Sequence, residues 1–186
     1  MTTHLWMDWR ELTRFTESGR LAFNREAALW STLQLADKKA ASLQSPAGAG
    51  RYSVALDDHI STLQDHTTFH AAVLIHSYAL AEFSACVQLG IDSRSAGGVE
   101  SWGAALLQSN GQNWGKVLDG EAGAVEVAVC RNVFAHGSRE IDAQAASRLG
   151  AAGSSLWALG DQVGLNYDDL RLFRDRLRSL LRVGGL

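Results

Sequence analysis

Arg131, Asn132 and His136 lie within one short stretch, Arg131-Asn132-Val133-Phe134-Ala135-His136, and Gly137 follows it. Each residue type suits work on a phosphate. An arginine keeps its proton and offers a planar fork to phosphate oxygens. A histidine titrates near neutral pH and can take up or release a proton. An asparagine both donates and accepts hydrogen bonds, so Asn132 could orient the imidazole or hold a hydroxyl. RNA can be cut without a metal when its own 2′-hydroxyl attacks the adjacent phosphorus. That reaction needs one group to take the hydroxyl proton, one to protonate the leaving 5′-oxygen, and a cation for the charge that develops.

The element that must position these groups is a helix. Glu121 to Cys130 is rich in Ala and Val, and glycine is the usual helix stop, so the pattern predicts a helix over about Ala122 to His136. At its C-terminal end the dipole favours the imidazolium form of His136. Five residues at about 100° each place Arg131 and His136 about 140° apart on an ideal helix. Either the helix loosens at its end, or the two act across an interface. Glu82 is the next candidate. Ala71 to Leu89 reads as a helix apolar on nearly its whole circumference, hence a buried central helix, and a carboxylate there is costly unless paired. Arg131 is the best available partner, with Glu82 holding it in place and Tyr78, one turn earlier, adding a hydroxyl to the same cleft.

Along the rest of the chain, Leu5, Trp6, Trp9, Leu12 and Phe15 predict a first amphipathic helix ended near Ser18-Gly19. Leu21 to about Leu43 predicts a second, led by Phe23, Ala27, Trp30, Leu33 and Leu35. Together they form an N-terminal helical hairpin over 1–43. Gln44 to Arg51 reads as a loop. A long helix is expected from Ser53 or Asp57 to Leu89. A short one is expected over Val99 to Leu107 and another near Trp114 to Leu118. A polar helix follows over Arg139 to Arg148, then a turn over Gly150 to Ser155. Leu156 to Leu165 reads as short extended pieces around Gly160-Asp161. Asn166 caps a last helix that turns Leu170, Phe173, Leu177 and Leu180 inward and Arg171, Arg174, Arg176, Arg178 and Arg182 outward.

The chain has 186 residues with a formal net charge of −3, 46% hydrophobic and 20% charged residues, and a single proline, which leaves long stretches free to be helical. This length fits one domain. The acidic balance speaks against a broad nucleic-acid-coating face, so any RNA contact should be local, at a cleft. Cys86 and Cys130 sit in apolar helical segments and read as reduced, buried thiols. No stretch is read as a membrane span and no signal pattern stands at the N-terminus, so a cytoplasmic location is expected.

The Arg-X4-His arrangement, with a polar residue directly after the arginine, resembles the Arg-X4-6-His signature of HEPN domains, small helical proteins that include many metal-independent RNases. The stretch Ala79-Leu80-Ala81-Glu82-Phe83 is also similar to the polar-residue-bearing central helix of that family. The resemblance covers about Ser53 to Leu181. It implies an all-α, up-and-down bundle of four or five main helices, with an irregular or hairpin insertion near 156–165. It further implies a single HEPN-like domain over 1–186 whose core is 53–181. For function it implies a metal-independent endoribonuclease acting at a composite homodimer cleft, with Arg131, Asn132 and His136 catalytic, Glu82 and Tyr78 supporting, RNA as substrate, and no cofactor. A two-fold dimer would supply a histidine for each proton transfer. Relatives of this kind are often bacterial toxins or anti-phage effectors, so a cognate antitoxin is a possible partner. The alternative is a non-catalytic HEPN-type module for nucleotide binding or dimerisation.

Other polar residues have plainer readings. His66 and His70 stand at zinc-compatible spacing near Asp65, but no third ligand is evident, and a solvated face is expected. His59 reads the same way. His76 falls on an apolar stripe with Val73 and Leu80 and reads as a core histidine.

Overall fold

The computed structural model describes residues 2–32, 41–45 and 52–186. The described residues are overwhelmingly helical, an all-α bundle with one small hairpin: α1 (Thr2–Ser31), β1 (Ser42–Gln44), β2 (Ser53–Ala55), α2 (Leu56–Gln64), α3 (Thr67–Leu89), α4 (Val99–Ser109), α5 (Gly120–His136), α6 (Ala143–Ala151) and α7 (Tyr167–Val183). Single 3₁₀ turns stand at Ser93–Ser95 and Trp114–Lys116. The chain divides into two compact units, Met1–Leu12 with Phe69–Leu186, and Thr13–Thr68.

In the smaller unit, the expected break at Ser18-Gly19 does not occur: α1 runs through it as one helix to Ser31. A single Ser-Gly pair costs a helix only about 1 kcal/mol and does not end it without a cap or a proline. The second predicted helix therefore belongs to α1 in its first part. Its end is replaced by β1, while Leu33 and Leu35 lie outside the described residues, as does most of the predicted loop, 46–51. Strands β1 and β2 pair antiparallel, Leu43 opposite Val54, and Leu56 N–H closes the pair onto Ala41 O at 2.9 Å. The long helix predicted up to Leu89 is two helices. Asp65 adopts an extended conformation after α2, and its Oδ1 accepts from Thr67 N–H at 2.9 Å to open α3.

The larger unit is built around α5. Every residue from Gly123 to Cys130 is buried, and α4, α6 and α7 all pack against this helix. Its Ala, Gly and Val side chains are small, so neighbours approach from all sides. Thus the central buried helix is α5, not α3 as expected. Helix α3 buries Val73, Leu74, Tyr78, Ala81, Ala85 and Cys86 but leaves Phe83 62% and Val87 40% exposed, and His76 stands in solvent rather than in the core. Also against expectation, α3 is long and apolar enough to cross a membrane.

Helix α7 opens with a capping box: Asn166 accepts from Asp168 and Asp169 N–H while Asp169 accepts from Asn166 N–H. Leu170, Phe173, Leu177, Leu180 and Leu181 face the core. Two of its expected outward arginines, Arg174 and Arg176, are instead buried, each 8% exposed. Arg174 Nη2 donates to Trp9 O at 3.2 Å with its guanidinium 4.9 Å above the Trp9 ring. Trp102, from α4, is fully buried beside Tyr78. Residues 156–165 are irregular. Their extended piece pairs with the strand-like segment before α6 (Glu140 opposite Gln162, Val163 N–H to Arg139 O at 2.9 Å) rather than folding on itself.

Candidate functional site

Helix α5 ends as its sequence indicates. His136 is its last residue, and Gly137 takes the left-handed conformation at φ 72°, which glycine adopts without the Cβ clash other residues meet. Arg131, Asn132 and His136 therefore occupy its final turn and a half.

His136 is exposed and lines a hollow of about 320 Å³. Asn132, one turn back on the same face, lines it as well. Ser138, Asp142, Gln144 and Arg148 supply the rest of the polar wall, and Val129, Val133 and Ala145 the apolar part. Arg131 is not part of this lining. Its half-buried guanidinium lies 5.1 Å over the Tyr78 ring, and Nη1 donates to Asn132 Oδ1 at 2.8 Å. Its Nε is buried without a hydrogen-bond partner. Within one chain Arg131 and His136 thus diverge, as the ideal-helix angle requires, and Asn132 joins them: its carboxamide touches the arginine and its position faces the histidine's hollow.

The expected Glu82–Arg131 pair is not formed. Among the described residues no carboxylate lies within 4.0 Å of Arg131 nitrogens, although Glu82 is close enough to feel its charge. Burial raises the Glu82 carboxyl above its ordinary value, and Arg131 draws it back only in part. The arginine is held by an aromatic face instead of a carboxylate. Tyr78 is buried, and desolvation pushes its phenol up to about 12. The Trp102 indole favours the phenolate without reaching hydrogen-bond geometry, its Nε1 remaining unpartnered. Tyr78 therefore serves as a platform, its hydroxyl neutral at every physiological pH.

The carboxylate that is buried and paired lies on α5 itself. Glu126 Oε2 accepts from Arg176 Nη1 at 2.6 Å and its Oε1 from Ser154 Oγ at 2.5 Å, while Arg176 Nε donates to Asp119 Oδ2 at 2.8 Å. Gly123 makes room for this arginine: a Cβ there would stand 3.0 Å from Arg176 Nε. A charge in an apolar run signals such a pair equally at Glu126 and at Glu82, and only the first is matched by geometry.

A second ion pair stands at the hollow. Arg148 donates from Nε to Glu100 Oε1 at 2.9 Å and from Nη2 to Glu100 Oε2 at 3.0 Å. Burial alone would raise the Glu100 carboxyl, but the Arg148 fork outweighs it and leaves it below its ordinary value. Sequence reasoning missed this pair, because residues 48 positions apart give no local signal.

The predicted solvated face at His66 and His70 is not what forms. His70 is buried with Nδ1 3.1 Å from Leu165 O, and His66 Nε2 is 2.7 Å from Leu63 O. Among the described residues no cluster of three or more His, Cys, Asp or Glu has metal-holding geometry. Compared with known proteins, the chain matches no family model, no curated sequence and no solved structure.

Proposed function

We propose that this protein is a HEPN-type, metal-independent endoribonuclease that cuts RNA at a cleft composed from two copies of the chain. The observation that carries the reading is Asn132, bonded to Arg131 through Oδ1 and lining the hollow that His136 faces, at the capped end of α5. His136 is exposed where it lines the hollow, within reach of a bound group, as a general acid or base must be. One chain places a single histidine of the motif at its hollow. In a two-fold dimer the Arg131 of the other copy comes to that hollow and meets the phosphorane charge, so each cleft takes its cation from one chain and its histidine from the other. In this reading the protein works in the cytoplasm as a bacterial toxin or defence effector, held in check by a cognate antitoxin.

Purified protein is incubated with single-stranded RNA in excess EDTA, beside His136→Ala. Chelator-resistant cutting that disappears in the variant supports the proposal, and cutting indifferent to His136→Ala removes it. A second reading, a non-catalytic nucleotide-binding or dimerisation module, is favoured by one observation: Arg131 lies against Tyr78, outside the hollow's lining. RNA binding without cutting would select it.

A further inference from the structure

We infer that Arg148 is the phosphate-binding cation of the His136 hollow. The inference rests on reading that hollow as an RNA site and names the group that grips one phosphate there. Arg148 is the only arginine or lysine in the described lining, which it shares with His136 and Asn132. Glu100 engages Nε and Nη2 in a two-point fork, which fixes the plane of the guanidinium. Nη1 has no part in that fork, so its N–H groups and the second N–H of Nη2 remain for a phosphate oxygen.

The fork has a built support. Gly98, the residue before α4, sits so close that a Cβ there would collide with Glu100 Oε2 and come within 3.1 Å of Arg148 Nη2. Its φ of −76° is open to any residue, so the glycine serves space and not backbone conformation. The charge balance limits the ligand. Glu100 offsets Arg148, and Asp142, which caps α6 by accepting Ala145 N–H at 2.7 Å, also lines the hollow. Such a wall suits a single phosphate group held by geometry rather than a polyanion gathered by field.

The test is binding, read at His136 by NMR cross-peaks of its imidazole, with inorganic phosphate and a 2′-O-methyl RNA hexamer that cannot attack its own backbone. The expected result is a saturable shift in the wild type. Arg148→Ala should weaken affinity for both probes by about tenfold or more, the loss of the charge-assisted hydrogen bonds that Nη1 offers. Arg148→Lys, which keeps charge and fold but not the fork, should recover part of it. Gly98→Ala alters no charge and need only displace flexible side-chain ends, and should weaken binding several-fold with an unchanged circular dichroism spectrum. Arg94→Ala, on the exposed turn before α4, is the control. Wild-type affinity in Arg148→Ala, or no saturable shift at His136 in the wild type, overturns the inference. The two readings fail separately. Arg148-dependent binding with no RNA cut in EDTA leaves the inference standing and ends the nuclease. Cutting that needs His136 and ignores Arg148 does the reverse.

Discussion

Arg131 Nη1 donates to Asn132 Oδ1 at 2.8 Å, so the cation of the motif reaches the histidine's hollow only through its neighbour's carboxamide. The bond sets which end of the carboxamide is turned to Arg131 and leaves its N–H groups for other work. Asn132→Ala should therefore cut kcat/KM for RNA by about tenfold or more while costing about 1 kcal/mol of stability, the usual net worth of one hydrogen bond. Asn132→Asp should keep the link to Arg131, even strengthen it, yet lose the donor. Cleavage assays beside urea denaturation separate the two effects. An Asn132→Ala enzyme of full activity would remove the carboxamide from the site.

The Glu126–Arg176 pair is the buried charge on which the larger unit depends. Both side chains are about nine-tenths buried, and Ser154 and Asp119 complete the network. Glu126→Ala strands a buried guanidinium on the partly exposed Asp119 alone, and should destabilise the fold by about 3–5 kcal/mol. Replacing both partners with leucine should cost less than the single change, since neither charge is then left unpaired. Denaturant midpoints of the two variants check the order. A single variant as stable as the wild type would show the network to be ornamental.

At alkaline pH two buried acids should act together. Burial pushes the Cys130 thiol from 9.0 to about 12 and the Tyr78 phenol from 10.0 to about 12. Both are neutral in folded and unfolded chains below pH 9, so they add no pH dependence there. Above pH 9 the unfolded chain releases these protons first and the folded chain keeps them, so stability falls as pH rises toward 12. At about 1.4 kcal/mol per unit, the thiol alone accounts for a loss of about 4 kcal/mol across that window. Cys130→Ala should make the decline above pH 9 shallower, leaving the Cys86 thiol, which burial also raises, and from about pH 10 the phenol to carry what remains. Urea titrations at stepped pH measure both.

Glu82 gives a test of the same sign at the acid end of the range. Its carboxyl is raised in the fold, first by burial, with Arg131 only partly opposing. The folded state therefore disfavours the ionised form, and the group's favourable contribution is present below the ordinary carboxylate value and lost as pH rises through the raised one. Glu82→Gln should then be slightly more stable than the wild type at pH 7, and the difference should vanish in acid. A loss of stability at pH 7 would mean that Glu82 holds Arg131 after all.

The fold class was legible because helix signals here are local. The run of Ala and Val before Arg131, the glycine after His136 and the Asn166 cap each act within one turn, and α5 and α7 form where those signals stand. What misled was burial. The apolar circumference of α3 suggested the central helix, but packing selects small side chains, and the Gly, Ala and Val of α5 took the centre while Phe83 and Val87 stayed outside. Of the site, Asn132 beside His136 follows from helical spacing alone. Arg148 with Glu100, and Arg176 with Glu126, are long-range pairings, and nothing in the spacing of one element announces its partner in another.

The divergence of Arg131 and His136 within one chain makes the dimer testable without a structure of it. Suppose the working site takes Arg131 from one copy and His136 from the other. Arg131→Ala and His136→Ala would each be inactive alone. Mixed in equal amounts and allowed to exchange, half the dimers should be mixed, and each mixed dimer should hold one site with both groups intact. The mixture should therefore recover about one quarter of wild-type activity. A site completed within a single chain recovers none, because each chain then carries its own defect into its own site. The assay is RNA cleavage in EDTA against the ratio of the two variants, with maximal recovery expected at equal amounts. No recovery at any ratio, from variants shown to exchange subunits, would place both residues in one copy and require α5 to loosen at His136.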